Sequence, residues 1–160
     1  MANYIVQELE GFAKLTEGNQ KAFYQQKLAD LKDVHVVPLD EVFTNEQIIK
    51  IKQFVRPKKK MCYRNAQRLC ELFDWVKYVE GYSTIFDGTF PIEHAWNKVG
   101  DKYVDVTYEL ALKLDVTKET YMSLGVYDIE TVKRVTQANE FFGDVYNYLF
   151  IEKLKKEKKL

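Results

Sequence analysis

At 160 residues, with 46% apolar, 14% aromatic and 30% charged side chains, the chain is sized for one compact domain burying about 70% of its unfolded surface and is not a disordered polymer. Its 24 basic and 24 acidic residues cancel, so no net field draws it to nucleic acid or to an anionic membrane. Glu8 and Glu10 break any apolar run at the start, no stretch approaches the roughly 20 apolar residues of a membrane span, and two cysteines fit a reducing, cytoplasmic setting.

Residues 1–33 lean toward helix, with Gly11 and Gly18-Asn19 as breaks, and carry no recognisable chemistry. Val34-His35-Val36-Val37, closed by Pro38, reads as an edge strand or extended connector. Thr44-Asn45-Glu46-Gln47 has the spacing of a capping box, so a helix follows, with Ile48, Ile51 and Val55 as its apolar stripe and Pro57 as its stop. In the next helix Cys62, Ala66, Leu69, Cys70 and Phe73 form one buried face, while Arg64, Asn65, Gln67, Arg68 and Glu71 take the other positions. Cys62 and Cys70 are eight residues apart, roughly 12 Å along such a helix, beyond the roughly 7 Å limit for a disulfide.

After Asp74 the period changes to alternation. Trp75 to Phe86, Ile92 to Val99 and Lys102 to Tyr108 read as three strands of an antiparallel meander, with turns at Asp87-Gly88 and Gly100-Asp101. Beyond Leu110 the signals weaken to helices. Thr117 is expected to cap a short one, Asp128 one containing Ile129, Val132 and Val135, and 139–159 forms the last, with a basic end. The fold class is α+β in one domain over 1–160, with a core at 44–110 and a C-terminal helical extension at 117–160. The two basic runs, Arg56 to Lys60 and Lys153 to Lys159, read as solvated faces.

A two-residue turn at Gly100-Asp101 sets Val99 opposite Lys102, Trp96 opposite Asp105 and His94 opposite Thr107. Alternation then puts His94, Trp96, Tyr103, Asp105 and Thr107 on one side of the ribbon, with His94 and Asp105 as diagonal neighbours within hydrogen-bond reach. Cys62 opens its helix, where unpaired N–H groups and the positive end of the macrodipole favour a thiolate. A thiol nucleophile, a base and an orienting acid therefore occur as Cys62, His94 and Asp105. Backbone N–H groups at the helix start supply one oxyanion donor. Gln53, nine residues upstream, is a candidate for the second, and Tyr63, Trp96, Asn97 and Thr107 complete the neighbourhood. One Cys, one His and one Asp without paired metal-ligand spacing are a poor zinc signal, and neither metal nor cofactor is expected.

Cys62 with Ala66 and Leu69, Val79-Glu80-Gly81-Tyr82, His94-Ala95-Trp96 and Asp105-Val106-Thr107 together resemble the transglutaminase-like superfamily. The resemblance spans about a third of the chain. It implies a papain-like core, with the nucleophile helix packed on the antiparallel meander, and a Cys-His-Asp triad at Cys62, His94 and Asp105. The sequence departs from the family at Tyr63, where tryptophan is frequent. The implied function is cysteine-dependent acyl transfer through a Cys62 thioester, acting on a protein or peptide substrate or a small amide by hydrolysis or transfer to an amine. The competing expectation is an inactive interaction module, an inhibitor or adaptor, on the same fold.

Overall fold

The computed structural model describes residues 3–85 and 87–158. Helix α1 (Tyr4–Leu15) starts where the Asn3 side chain accepts the Val6 N–H, and it runs through Gly11 to bury Ile5, Leu9 and Ala13. Helix α2 (Gly18–Asp30) follows, so the chain breaks before Gly18 and not at Gly11. Strand β1 (Lys32–Val34) is short, and beyond it Val36 makes one isolated bridge to Tyr103.

Helix α3 (Asn45–Lys50) carries the expected capping box. Thr44 Oγ1 accepts from the Gln47 N–H at 3.2 Å, and Gln47 Oε1 accepts from the Thr44 N–H at 2.9 Å. Its continuation is a π-helical turn, Ile51–Val55, which ends at Arg56 in the left-handed region. Helix α4 (Cys62–Leu72) then packs its apolar stripe into the main core. The rest of that helix is not a solvated face, however: Arg64, Asn65 and Gln67 are buried as well. Tertiary bonds make this possible. Asn65 bonds to Lys58 and Thr107, and Gln67 Oε1 accepts from Thr136 at 2.8 Å.

Strands β2 (Val76–Ile85), β3 (Phe90–Val99), β4 (Lys102–Val104) and β5 (Tyr121–Tyr127) join β1 in one antiparallel sheet of order β1-β5-β2-β3-β4. The meander β2-β3-β4 is as the alternation predicts, with Phe86 outside the described residues. The third strand is shorter than expected: it ends at Val104, and a π-helical turn, Thr107–Ala111, takes its place. β5 is the larger departure. The stretch expected to be wholly helical supplies a strand between β1 and β2.

The last elements surround that sheet. Asp115, not Thr117, caps the short 3-10 turn Val116–Lys118. Asp128 caps α5 (Ile129–Asn139), which buries Val132 and Val135 as expected. The expected final helix at 139–159 instead begins later, as α6 (Val145–Lys156), because Glu140, Gly143 and Asp144 all take positive φ. Lys159 of that expectation lies outside the described residues. The buried Glu80 carboxylate on β2 accepts the first N–H groups of α6, from Val145 at 3.0 Å and Tyr146 at 2.9 Å, and also receives the Tyr78 hydroxyl. This satisfies free donors that no local side chain reaches. No helix among the described residues is long and apolar enough to cross a membrane.

Candidate active site

The β3–β4 hairpin has the register that a two-residue turn imposes, with Val99 opposite Lys102 and Asn97 opposite Val104. Gly100 makes the turn with φ 63°, a conformation that glycine adopts without penalty. Continuing past β4, the chain brings Asp105 beneath His94, and Asp105 Oδ2 lies 2.7 Å from His94 Nε2. Both side chains are buried, Asp105 fully and His94 to within 2%. Three donors converge on the carboxylate. Besides the imidazole, the Tyr121 hydroxyl donates to Oδ2 at 2.8 Å and the Tyr108 N–H donates to Oδ1 at 3.0 Å. A carboxylate so surrounded stays an acceptor, so Nε2 of His94 carries a proton and the ring's other nitrogen, Nδ1, is left for a further partner.

Aromatic rings fix the imidazole plane. Tyr108 stacks on it with centroids 4.3 Å apart, and Trp96 lies 6.0 Å away at 23°. Burial alone acts to lower the imidazole pKa. The Asp105 charge and hydrogen bond oppose it, Cys62 adds a further hydrogen bond and charge, and the net effect is a rise to about 10. Asp105 and Cys62 thus both act to favour the protonated ring over the neutral one. Burial drives the Tyr121 hydroxyl strongly upward, reinforced by the Asp105 charge, so it remains a donor.

Cys62 is the first residue of α4 and is half-buried. No side chain caps that helix, and its first intrahelical bond is from the Asn65 N–H to the Met61 carbonyl at 2.9 Å. The amides of Cys62, Tyr63 and Arg64 precede that bond, and they are the donors that an oxyanion beside the sulfur would meet. Cys70 contrasts with it. It is buried, and desolvation pushes its thiol up to about 12 despite the Asn97 amide beside it.

The surrounding candidates separate. Trp96 packs beside His94 as expected, with its indole N–H buried and without a partner among the described residues. Tyr63 lines the narrow cavity that reaches His94, and its ring packs against Gly143 so closely that a Cβ there would fall 2.5 Å from Cγ. Asn97 is turned away from His94 and ties β3 to α4, donating to the Ala66 carbonyl at 2.9 Å and to the Lys77 carbonyl at 3.2 Å. Thr107 lies in the π-helical turn, where it accepts from Asn65 at 2.9 Å. Gln53 is exposed, and its carbonyl accepts from Arg56 Nε.

The sequence reading missed two groups. Tyr121 belongs to the strand that was not anticipated, and its only local mark is an aromatic residue after Thr120. Lys27, from the N-terminal helices, lines the same cavity of about 30 Å³ as His94. It is 5% exposed, donates to the Tyr82 hydroxyl at 2.7 Å and stands 3.6 Å from Glu93 Oε1. Burial lowers its pKa, with the Glu93 charge opposing. Nothing in the spacing of α2 marks a lysine that tertiary packing alone encloses. Among the described residues no group of three or more His, Cys, Asp or Glu side chains is placed to hold a metal ion. No family model, no curated protein and no solved structure matches this chain.

Proposed function

We propose that the chain is a cysteine-dependent acyl-transfer enzyme of the transglutaminase-like type, using Cys62, His94 and Asp105 on a papain-like core. The observation that carries this reading is the 2.7 Å contact between His94 Nε2 and the buried Asp105 carboxylate, on a ring whose proton affinity Cys62 also raises. In this scheme the Cys62 sulfur attacks an amide carbonyl. The bond to nitrogen breaks as His94 delivers a proton to the leaving amine, and a thioester remains. Water or a second amine then attacks the thioester, passes its proton to His94 and releases the sulfur. Asp105 holds the ring orientation throughout, and the amides opening α4 receive the oxyanion. The substrate is a peptide, isopeptide or side-chain amide, on a protein or on a small molecule. A free thiol nucleophile suits a reducing compartment, so the cytoplasm is the proposed setting.

Brief treatment with iodoacetamide at pH 6, followed by peptide mapping, tests the nucleophile. Adducts are expected at Cys62 and not at Cys70. Equal labelling of the two, or none at Cys62, removes the basis for the reading and favours an interaction module without chemistry. A panel of glutaminyl peptides and isopeptides then reports turnover as released ammonia or amine, expected for the parent and absent for Cys62→Ala.

A further inference from the structure

A separate depression of about 410 Å³ lies between the two π-helical turns, lined by Lys52, Arg56, Pro57, Lys58, Leu110 and Lys113. Four of these six residues are cations and none is acidic, in a chain whose total charge is zero. The two banks are built alike. On one, the π-helical turn Ile51–Val55 leads into Arg56 at φ 49°; on the other, Thr107–Ala111 is followed two residues later by Lys113 at φ 56°. Left-handed backbone at a residue other than glycine costs about 1–2 kcal/mol, and both this strain and π-helical turns collect at functional sites. Here both occur twice around one hollow.

All four cations are exposed, and side-chain hydrogen bonds fix the backbone at two of them, Arg56 and Lys58. Asn65, fully buried, accepts from the Lys58 N–H at 3.2 Å and donates to the Lys58 carbonyl at 2.8 Å. The Arg56 carbonyl accepts from Arg64 at 3.3 Å, and Arg56 Nε donates to the Gln53 carbonyl at 2.9 Å. The ion pairs among the described residues involve Lys27, His94 and Arg134, and none of the four cations of the hollow. Glu109, which feels the charge of Lys52, has its carboxylate engaged by the Leu39 N–H at 2.9 Å. Four like charges facing one concavity repel one another, and a multivalent anion turns that repulsion into attraction.

We propose that this depression binds a small oligophosphate, an anion of the pyrophosphate or triphosphate class. A single phosphate monoester carries only about −1.5 to −2 at neutral pH, which leaves two of the four cations unmatched. A short chain of phosphates carries enough negative charge to match more of them. The site is independent of the chemistry proposed for Cys62.

The test is calorimetric titration of the full chain with sodium triphosphate, pyrophosphate and orthophosphate at constant ionic strength. The combined Lys52→Gln, Arg56→Gln and Lys113→Gln variant is compared with Lys153→Gln, Lys155→Gln and Lys156→Gln on α6, which removes the same charge elsewhere. Triphosphate is expected to bind at one site, more tightly than orthophosphate by about tenfold or more. Affinity should fall by about tenfold for each lining cation removed, the weight of one charge-assisted hydrogen bond, and stay unchanged in the α6 variant. Backbone amide shifts in the parent should cluster at Lys52, Arg56, Lys58 and Lys113, a readout that does not depend on how the variant folds. Absence of saturable binding, equal loss in the α6 variant, or shifts scattered over other basic residues overturns the proposal. Tighter binding of a short single-stranded oligonucleotide than of triphosphate overturns the assigned ligand class.

Discussion

Replacing Asp105 by Asn keeps the shape of the side chain and removes its charge, and the structure sets the size of the effect. The His94 imidazole stands at about 10 against an ordinary 6.5. That rise is the balance of burial, which lowers it, against Asp105 and Cys62, which raise it, so the loss expected on removing the Asp105 charge is the ~3–5 kcal/mol of breaking a buried ion pair. The sign follows from linkage. A histidine whose pKa is raised by folding contributes its full stabilisation below about 6.5 and loses it as the pH climbs through about 10. Asp105→Asn should therefore be most destabilising near pH 6, with the gap to the parent closing progressively toward pH 10. Urea unfolding at pH 6, 8 and 10 measures the gap. The chain has only two histidines, His35 and His94, so imidazole NMR can follow the titration directly. A gap of the same size at pH 6 and pH 10, or a parent His94 that titrates near 6.5, refutes the reasoning.

Tyr121→Phe preserves the ring that meets the edge of Trp96 but takes the hydroxyl from Asp105 Oδ2. A loss of about 1.5–3 kcal/mol, the weight of a hydrogen bond to a charged group, is expected in urea melts, and an unchanged midpoint would contradict the role assigned to that hydroxyl. Asn65→Ala removes the acceptor of the Lys58 N–H and the donor to Thr107, leaving the Lys58 carbonyl with the Met61 N–H alone, and should cost about 1–3 kcal/mol; faster hydrogen exchange at Lys58 and Met61 checks that the loss is local. Gly81→Ala places a Cβ 2.1 Å from the Met122 carbonyl oxygen and 2.9 Å from the Trp96 ring, so β2 and β5 must separate. A melting temperature within a few degrees of the parent would show that the strands yield more easily than their spacing implies.

The pairing of His94 with Asp105 was legible because strand alternation and an even turn leave little choice of register, and both are local properties of residues 94 to 105. The capping box at Thr44 and the Asp128 cap were legible for the same reason. The buried polar flank of α4 was not: besides the local bonds of Arg64 to Asn65 and Gln67 to Glu71, its burial depends on Arg56, Lys58, Thr107 and Thr136, and helical period carries no information about those. Strand β5 escaped because Tyr121, Met122 and Ser123 are buried in succession and Gly125 interrupts the run, while, unlike the equally buried β2, it has no hairpin turn joining it to the strand it pairs with. The end of β4 was misjudged because Asp105 is both a ligand of His94 and the acceptor for the Tyr108 amide, and the second role turns the chain into a helical turn. Lys27 lay beyond reach, since its importance comes from packing between α2 and β2 and not from any neighbour in the chain.

The position of β5 sets the order in which the protein can be completed. During synthesis the residues proposed for chemistry all emerge before residue 106, yet the strand that joins β1 to β2 and brings a hydroxyl to Asp105 arrives only after residue 120. Until then β2 presents an unpaired edge, a template for association with other chains, and the carboxylate lacks one of its donors. A nascent or truncated chain is thus vulnerable to aggregation while its charge pair is still incomplete, and the mature arrangement forms only once most of the polypeptide has left the ribosome.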